Sequence, residues 1–179
     1  MYGLVNYQLT GIQMGIQFSH AVVEYGQSVK HSDDLIYELR KYDDWADNHK
    51  TYIILNGGTT NLNPDRIGTL NQHLISLSDN GIFCSYFHEP DLGDQLTSVC
   101  FIVDERVFNR EKYPDFDTKI YQGDFSDPMN PSFLLDNRGL LQMPGHTIIN
   151  KLEWDKWVES IGGRRNLFLR NFLRSFRLA

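Results

Sequence analysis

The chain has 179 residues, of which 41% are hydrophobic and 22% are charged, and its mean hydropathy is -0.41. This composition predicts a globular protein of one domain, or one domain with a substantial extension, and argues against a disordered chain. Only two cysteines are present, Cys84 and Cys100, which argues against a secreted scaffold held by disulfides. We expect both to be buried or half-buried thiols in a reducing compartment.

The net charge of -6 is unevenly distributed along the chain. Residues 1–105 carry 5 Lys or Arg and 14 Asp or Glu, a net charge of -9, and residues 106–163 carry 7 and 9, a net charge of -2. Residues 164–179 carry 5 arginines and no acid, a net charge of +5. The sequence therefore combines an acidic body with a basic tail, and its overall charge does not exclude a nucleic-acid partner.

The N-terminal sequence MYGLVNYQLTG has neither a basic segment nor a long apolar one, so it does not predict a signal peptide. The longest apolar runs are far shorter than the roughly 20 residues that cross a bilayer. The histidines show no spacing typical of a metal site. These observations predict a cytoplasmic protein without membrane association, and we expect no metal and no cofactor.

The first part of the chain alternates strand and helix patterns. Residues 2–9 predict a first strand, and residues 12–26 predict a helix that stops at Gly26. Ser32 is a suitable N-cap for a second helix, since two acids follow it in the first turn. The β-branched run at residues 51–55 predicts a second strand.

A third helix has the strongest signals in the sequence. Asn63 is a candidate N-cap, Pro64 suits the first helical position, and Gly81 follows the last turn. Its apolar side chains recur at steps of three and four residues, as one buried face requires. These residues are Ile67, Leu70, Leu74 and Leu77.

Two more strands are predicted at residues 82–88 and 98–104, joined by a polar loop at residues 89–97. The order of elements is therefore β-α-α-β-α-β-β, which predicts an α/β sheet with right-handed crossovers. The loop length leaves open whether the last two strands pair as a hairpin or lie apart. We assign residues 1–105 to one α/β domain.

The composition changes after this domain. Residues 109–147 hold four of the six prolines, with Gly, Asn and Asp between them, which is typical of a loop-rich segment. Residues 151–161 predict a short helix, and residues 164–179 predict an amphipathic basic helix. Its apolar face consists of Leu169, Phe172, Leu173 and Phe176. Residues 106–179 therefore form a predicted C-terminal extension.

The sequence contains no P-loop, dinucleotide-binding, zinc-protease or serine-hydrolase motif, so its chemistry must come from a less familiar arrangement or from binding. One candidate is the pair Gln17 and His20, which lie three residues apart and share a face of the first helix. His20 can act as an acid, a base or a hydrogen-bond donor near neutral pH. The alternative is a histidine with a purely structural partner.

The second candidate is the loop at residues 89–97. It follows one strand and precedes another, which is the usual place for binding residues on an α/β scaffold. A carboxylate such as Glu89 or Asp91 can orient a water molecule, with the hydroxyl of Thr97 as its partner. The alternative interpretation is a solvated acidic turn.

At these two segments the sequence resembles the type II peptidyl-tRNA hydrolases. That family begins with a strand and a helix whose motif runs Lys-(apolar)-x-x-Gln-x-x-His-Ala, and the segment from Gln13 to Ala21 matches it at Gln17, His20 and Ala21. The family then has an acidic residue after a strand and a Thr before the final strand, where this sequence has Glu89 and Thr97. The resemblance covers roughly residues 1–105.

The resemblance implies a mixed four-stranded sheet with helices on both faces, and cleavage without a metal of the ester that joins a peptide to tRNA. In the family a Lys, an Asp and a Thr help water to attack this ester. The Lys falls at Gln13, which carries no charge, and the Asp falls at Glu89, or at Asp91 under a different alignment. The implied catalytic residues are Gln13, His20, Glu89, Asp91 and Thr97, with Gln17 as a substrate-binding residue.

The basic tail supplies a candidate surface for tRNA, because the acidic body has few cations to meet phosphates. Arg164, Arg165 and Arg170 are the predicted substrate-binding residues of this tail. The alternative is a helix that packs on the domain, on a second copy or on another protein. The rival function is accordingly a non-catalytic binding protein on the same scaffold, which Gln13 and the acidic body favour.

Overall fold

A computed structural model of the chain describes residues 1–61, 63–116 and 151–179. These residues form two compact units. The first unit comprises Met1–Val103 together with Phe176–Ala179, and the second comprises Asp104–Ser175. The sequence assigned residues 106–179 to the extension, whereas Phe176–Ala179 belong to the first unit.

The first unit is an α/β sheet, as predicted. Its elements are β1 (Tyr2–Asn6), α1 (Gly11–Lys30), α2 (Ile36–Asp44), β2 (Ile53–Gly58), α3 (Thr69–Asp79), β3 (Cys84–Glu89) and β4 (Gln95–Phe101). The strand order is β2-β1-β4-β3, with β1 and β2 parallel and the other two neighbouring pairs antiparallel. The sheet is therefore mixed, and β3 and β4 form a hairpin, which the sequence had left open.

Helices α1 and α3 lie against opposite faces of this sheet. Val5 of β1 belongs to one buried cluster with Phe18 and Tyr25 of α1. Leu4, whose side chain points to the other face of the strand, lies beside Gly57 together with Leu70 of α3. Alternate residues of the central strand β1 thus serve two separate helix–sheet interfaces.

Two helix boundaries differ from prediction for identifiable reasons. Helix α1 continues past Gly26 to Lys30. A Cβ at Gly26 would lie 2.7 Å from the hydroxyl oxygen of Tyr42, so this glycine permits close packing and does not end the helix. Asn63 caps only a short 3-10 turn, and the extended backbone of Ile67 (ψ 132°) separates that turn from α3, which begins at Thr69.

Strand β4 begins three residues earlier than predicted, because its first residues pair with the end of β3. Glu89 is opposite Gln95, so the connection shortens to a tight turn. Pro90–Leu92 forms one 3-10 turn, and both Gly93 (φ 71°) and Asp94 (φ 59°) then adopt left-handed backbone conformations. The predicted polar loop is therefore mostly strand and turn.

The described part of the second unit contains three helices. They are α4 (Glu105–Phe108), α5 (Lys151–Ser160) and α6 (Arg164–Phe172). The helix predicted at residues 151–161 is confirmed, and two glycines with positive φ separate it from α6. Most of the loop-rich segment predicted at residues 109–147 lies outside the described residues.

The C-terminal residues do not continue α6 as one long helix. A 3-10 turn follows α6 to Ser175, and the chain then becomes extended in the first unit. Leu178 forms an antiparallel bridge with Leu55, flanked by backbone hydrogen bonds from Asn56 N to Arg177 O and from Ala179 N to Ile54 O, both 3.0 Å long. The last residues therefore cover the outer edge of β2, and the predicted basic helix over residues 164–179 is corrected.

Both cysteines are free, as predicted, with Cys84 half-buried and Cys100 buried. Burial raises the pKa of the Cys84 thiol to about 11 and raises the pKa of Cys100 further above its ordinary value. Both thiols are therefore protonated at neutral pH. Within the described residues, no helix combines the length and apolarity needed to cross a bilayer.

Gly3 allows α1 to approach the sheet, and we expect Gly3→Ala to destabilise the protein. A Cβ there would lie 2.2 Å from the ring of buried Phe18, so the free energy of unfolding should fall by about 1–3 kcal/mol. The matched control is Gly15→Ala, where a Cβ meets nothing within 4 Å inside α1. This change should stabilise by about 0.5–1 kcal/mol. Urea denaturation of both variants, followed by circular dichroism, measures the difference, and equal effects would contradict the packing assigned to Gly3.

Candidate active site

Three predicted site residues meet through hydrogen bonds although they come from three different elements. Gln17 of α1 is only 7% exposed, and its Nε2 donates to Oε2 of Glu89 at the end of β3. Its Oε1 accepts a 2.8 Å hydrogen bond from Oγ1 of Thr97 in β4. We call this arrangement the Glu89–Gln17–Thr97 chain.

A β-bulge places Thr97 in this chain. Phe87 pairs with Ser98 and His88 pairs with Leu96, so Thr97 is an additional residue without a partner on β3. Side chains normally alternate between the faces of a strand, yet Thr97 and Ser98 both contact Gln17. The hydroxyl of Ser98 donates to the main-chain oxygen of Gln17 at 2.6 Å, while that of Thr97 contacts the side chain. The bulge thus redirects Thr97 toward α1.

Glu89 occupies the position of the acidic residue in the chain. Its Oε2 accepts from Gln17, and its Oε1 accepts from the backbone N–H of Asp91 at 3.5 Å. Asp91 is exposed and contributes this N–H rather than its carboxylate. Of the two carboxylates suggested by the sequence, the structure therefore joins that of Glu89 to Gln17 and Thr97. An ionised carboxylate can accept about four hydrogen bonds, so Glu89 has capacity left for a water molecule.

His20 lies next to this chain but is not hydrogen-bonded to it. Its side chain is exposed, and its ring stacks on the ring of Phe87 with 4.5 Å between centroids and 17° between planes. Gln17 and His20 share the side of α1 that contacts β3 and β4, as their spacing predicts. The structure thus gives His20 an aromatic partner in place of the polar one expected of an acid or base.

Gln13 is not part of the Glu89–Gln17–Thr97 chain of hydrogen bonds. Its Oε1 accepts hydrogen bonds from the backbone N–H of Thr10 at 3.0 Å and from the Thr10 hydroxyl at 2.9 Å. The N–H of Gln13 donates back to Thr10 Oγ1, which completes a capping box at the start of α1. The residue at the position of the family's Lys therefore takes part in helix capping, and its catalytic role stays a prediction.

The three predicted substrate-binding arginines have different environments. Arg164 and Arg165 are exposed in the first turn of α6. Arg170 is only 1% exposed, and its guanidinium donates to Arg106 O at 2.6 Å, Tyr113 O at 2.8 Å and Asp115 Oδ1 at 2.8 Å. Arg170 is therefore enclosed and already occupied, which corrects its predicted contact with a phosphate.

Asp115 is the acidic partner of a small arginine network inside the second unit. Arg110, Arg170 and Arg174 all form ion pairs with its carboxylate. Burial raises the pKa of Asp115, but the hydrogen bond from Arg170 and the neighbouring positive charges outweigh it, so the pKa lies below its ordinary value. Three cations around one acid explain why the basic residues of the tail are not all available to a ligand.

No family model matches this chain, and neither the curated proteins nor the solved structures contain a match. Among the described residues, no group of three or more His, Cys, Asp or Glu side chains is placed to hold a metal ion. A carboxylate held by an amide and a backbone N–H can orient a water molecule for attack on an electrophile.

We expect the hydrogen bond between Thr97 and Gln17 to contribute measurably to folding. Thr97→Val removes the donor and leaves buried acceptors unpaired, which should cost about 1–3 kcal/mol in the free energy of unfolding. In a Gln17→Met background the same substitution should cost about 1 kcal/mol less. Urea denaturation of the four proteins measures this coupling.

The control for that cycle is Gln72→Met, the same chemical change on α3, which lies against the opposite face of the sheet. Its coupling to Thr97→Val should be within about 0.5 kcal/mol of zero. Equal coupling in the two backgrounds would contradict a specific Thr97–Gln17 interaction.

A second prediction concerns the two classes of arginine on α6. Arg170→Met should destabilise the second unit by about 1–3 kcal/mol, because it leaves two buried backbone partners without their donor and removes one of the three cations around the exposed Asp115 carboxylate. Arg165→Met, on the same helix but exposed, should change the free energy of unfolding by less than about 0.5 kcal/mol. Fluorescence of Trp154 and Trp157 during urea unfolding reports on this unit when both variants are made in a Trp45→Phe background, because Trp45 lies in the first unit. Equal effects would contradict the structural role of Arg170.

Proposed function

We propose that this protein hydrolyses the ester that joins a peptide to tRNA, in the manner of the type II peptidyl-tRNA hydrolases that its sequence resembles. The observation that carries the proposal is the Glu89–Gln17–Thr97 chain. These three residues were selected by resemblance from positions up to 80 residues apart, and they are hydrogen-bonded to each other. The mixed order of the sheet and the helices on its two faces also support this fold family.

In the proposed reaction, Glu89 accepts a proton from a bound water molecule as the water oxygen bonds to the ester carbonyl carbon. The tetrahedral intermediate then breaks the bond to the ribose oxygen, which takes up the proton held by Glu89. The products are the peptide acid and a free ribose hydroxyl on the tRNA. Gln17 acts by holding the carboxylate at Oε2, so that one lone-pair direction remains fixed toward the water.

Thr97 has an indirect place in this scheme. It is fully buried (0% exposed), so it touches neither solvent nor a substrate in this conformation. Its hydroxyl donates to Oε1 of Gln17 and thereby fixes which end of the amide faces Glu89. We therefore assign Thr97 to positioning, and Glu89 to proton transfer.

The proposed reaction lacks one element that the family resemblance implies, a lysine beside the ester. Gln13 is bound in the capping box, and within the described part of the chain Glu89 is partnered by Gln17 and the Asp91 N–H, with no Lys or Arg. Removal of a group that stabilises developing negative charge typically slows an enzyme by about 10²–10³. We therefore expect turnover to be slow. The proposed substrate is peptidyl-tRNA in the cytoplasm.

The direct test is hydrolysis of a purified peptidyl-tRNA by the full chain. Glu89→Gln should lower kcat/KM by about 10²–10⁴, because the amide cannot take the proton from water. Asp91→Asn is the matched control, since only the backbone of Asp91 contacts Glu89, and its activity should stay close to that of the unmodified protein. Gln13→Ala should also retain activity. Equal activity of the Glu89 and Asp91 variants would overturn the site.

A second candidate function is a non-catalytic binding protein on the same scaffold, with a protein partner or a second copy contacted through the C-terminal extension. The engagement of Gln13 in helix capping is the observation that favours it. Absence of any hydrolysis at micromolar protein, with the fold intact, would support this function over the enzyme.

A further inference from the structure

The stacked rings of His20 and Phe87 present a flat surface at the edge of the candidate site. Phe87 is half-buried and packs against the core cluster under α1. His20 lies over it with nearly parallel planes, and its side chain is exposed. One face of the imidazole is therefore covered by Phe87, while the rest of the side chain remains accessible from solvent.

This ring pair and the Glu89–Gln17–Thr97 chain of hydrogen bonds share secondary-structure elements and one backbone contact. His20 is three residues after Gln17, which is a rise of about 4.5 Å along α1. The backbone oxygen of Phe87 lies 3.1 Å from the Thr97 hydroxyl. The ring pair and the carboxylate are thus held by the same helix and the same hairpin, within the first unit.

We infer that the His20–Phe87 ring pair is a stacking site for a nucleobase, that of the terminal nucleoside of an RNA. The inference rests on the proposed function, because that function supplies an RNA whose last ribose carries the ester. A base and an ester on the same nucleoside need recognition groups on one part of the fold, and the ring pair and Glu89 are both carried by α1 and the β3–β4 hairpin.

The charge of the first unit favours this way of binding over phosphate contacts. Residues 1–103 and 176–179 carry 6 Lys or Arg and 12 Asp or Glu, a net charge of -6. An acidic surface repels the backbone of a nucleic acid. A nucleobase is uncharged, and every base has a π-face that stacks on aromatic side chains, so stacking needs no cation.

The test measures binding of adenosine, which carries no phosphate, to the full chain by nuclear magnetic resonance and calorimetry. Adenosine should shift the ring resonances of His20, and its affinity should be the same at low and moderate salt. His20→Ala should weaken adenosine binding by about tenfold, whereas His20→Phe should keep most of it, because phenylalanine preserves the stacking face. His31→Ala, an exposed histidine at the other end of α1, is the control and should bind as the unmodified protein does.

Three results with adenosine would overturn the inference. They are no adenosine binding up to its solubility limit, equal binding by His20→Ala and the unmodified protein, or a loss of binding in His20→Phe as large as in His20→Ala. Binding of phenylalaninamide as tight as that of adenosine would also overturn it, since the site would then take an aromatic peptide side chain.

These binding measurements separate the inference from the proposed function. Adenosine binding that depends on His20, without hydrolysis of peptidyl-tRNA, would support the stacking site and exclude the proposed hydrolase activity. Hydrolysis that depends on Glu89, with adenosine binding unchanged in His20→Ala, would support the proposed activity and exclude the stacking site. If both hold, His20→Ala should raise KM for peptidyl-tRNA with little change in kcat, and His20→Phe should restore KM.

Discussion

Two hydrogen bonds between side chains of β4 and the backbone of α1 fix the geometry on which the candidate site depends. Ser98 donates to the carbonyl oxygen of Gln17 at 2.6 Å, and the Cys100 thiol donates to that of Ala21 at 3.1 Å. Four residues of helix rise about 6 Å, and two residues of strand advance about 6.8 Å. The two periods nearly match, so α1 and β4 are locked in one register. Gly3 completes this interface, because the Phe18 ring lies where another residue would have its Cβ.

The fixed register of α1 on β4 determines which groups the side chain of Gln17 can reach. With its backbone oxygen held by Ser98, the buried amide of Gln17 has to find partners for Nε2 and Oε1 within its immediate surroundings. The end of β3 supplies the carboxylate of Glu89, and the bulge supplies the hydroxyl of Thr97. An unbulged β4 would turn Thr97 to the α3 side of the sheet and leave Oε1 unpaired. The site is therefore a consequence of strand geometry as much as of residue identity.

The sequence predicted the α/β class and the order of elements, because these follow from periodicity and spacing, whereas Gln17, Glu89 and Thr97 were brought together by the family resemblance. It could not predict the bulge at Thr97, since no glycine or proline marks it and its cause is pairing with β3. It placed Gln13 at the family's Lys position by alignment alone, and the alignment did not reveal that Thr10 and Gln13 form a capping box at the start of α1. It misread Arg170 because its partners, the backbone oxygens of Arg106 and Tyr113, are more than 50 residues away. Burial of an arginine depends on such tertiary contacts, which charge counts do not contain.

The single proton of the Thr97 hydroxyl connects the Gln17–Glu89 hydrogen bond with the His20–Phe87 ring pair. Two acceptors compete for it, Oε1 of Gln17 at 2.8 Å and the backbone oxygen of Phe87 at 3.1 Å. If the proton turns to Phe87, Oε1 loses its donor, and the hydrogen bond from Nε2 to Glu89 is then left to oppose rotation of the amide, which would bring Oε1 against the carboxylate. Two acceptor oxygens facing each other in a half-buried space are unfavourable, so the proton stabilises the orientation in which Nε2 faces Glu89. The residue that competes for this proton is also the one whose ring supports His20.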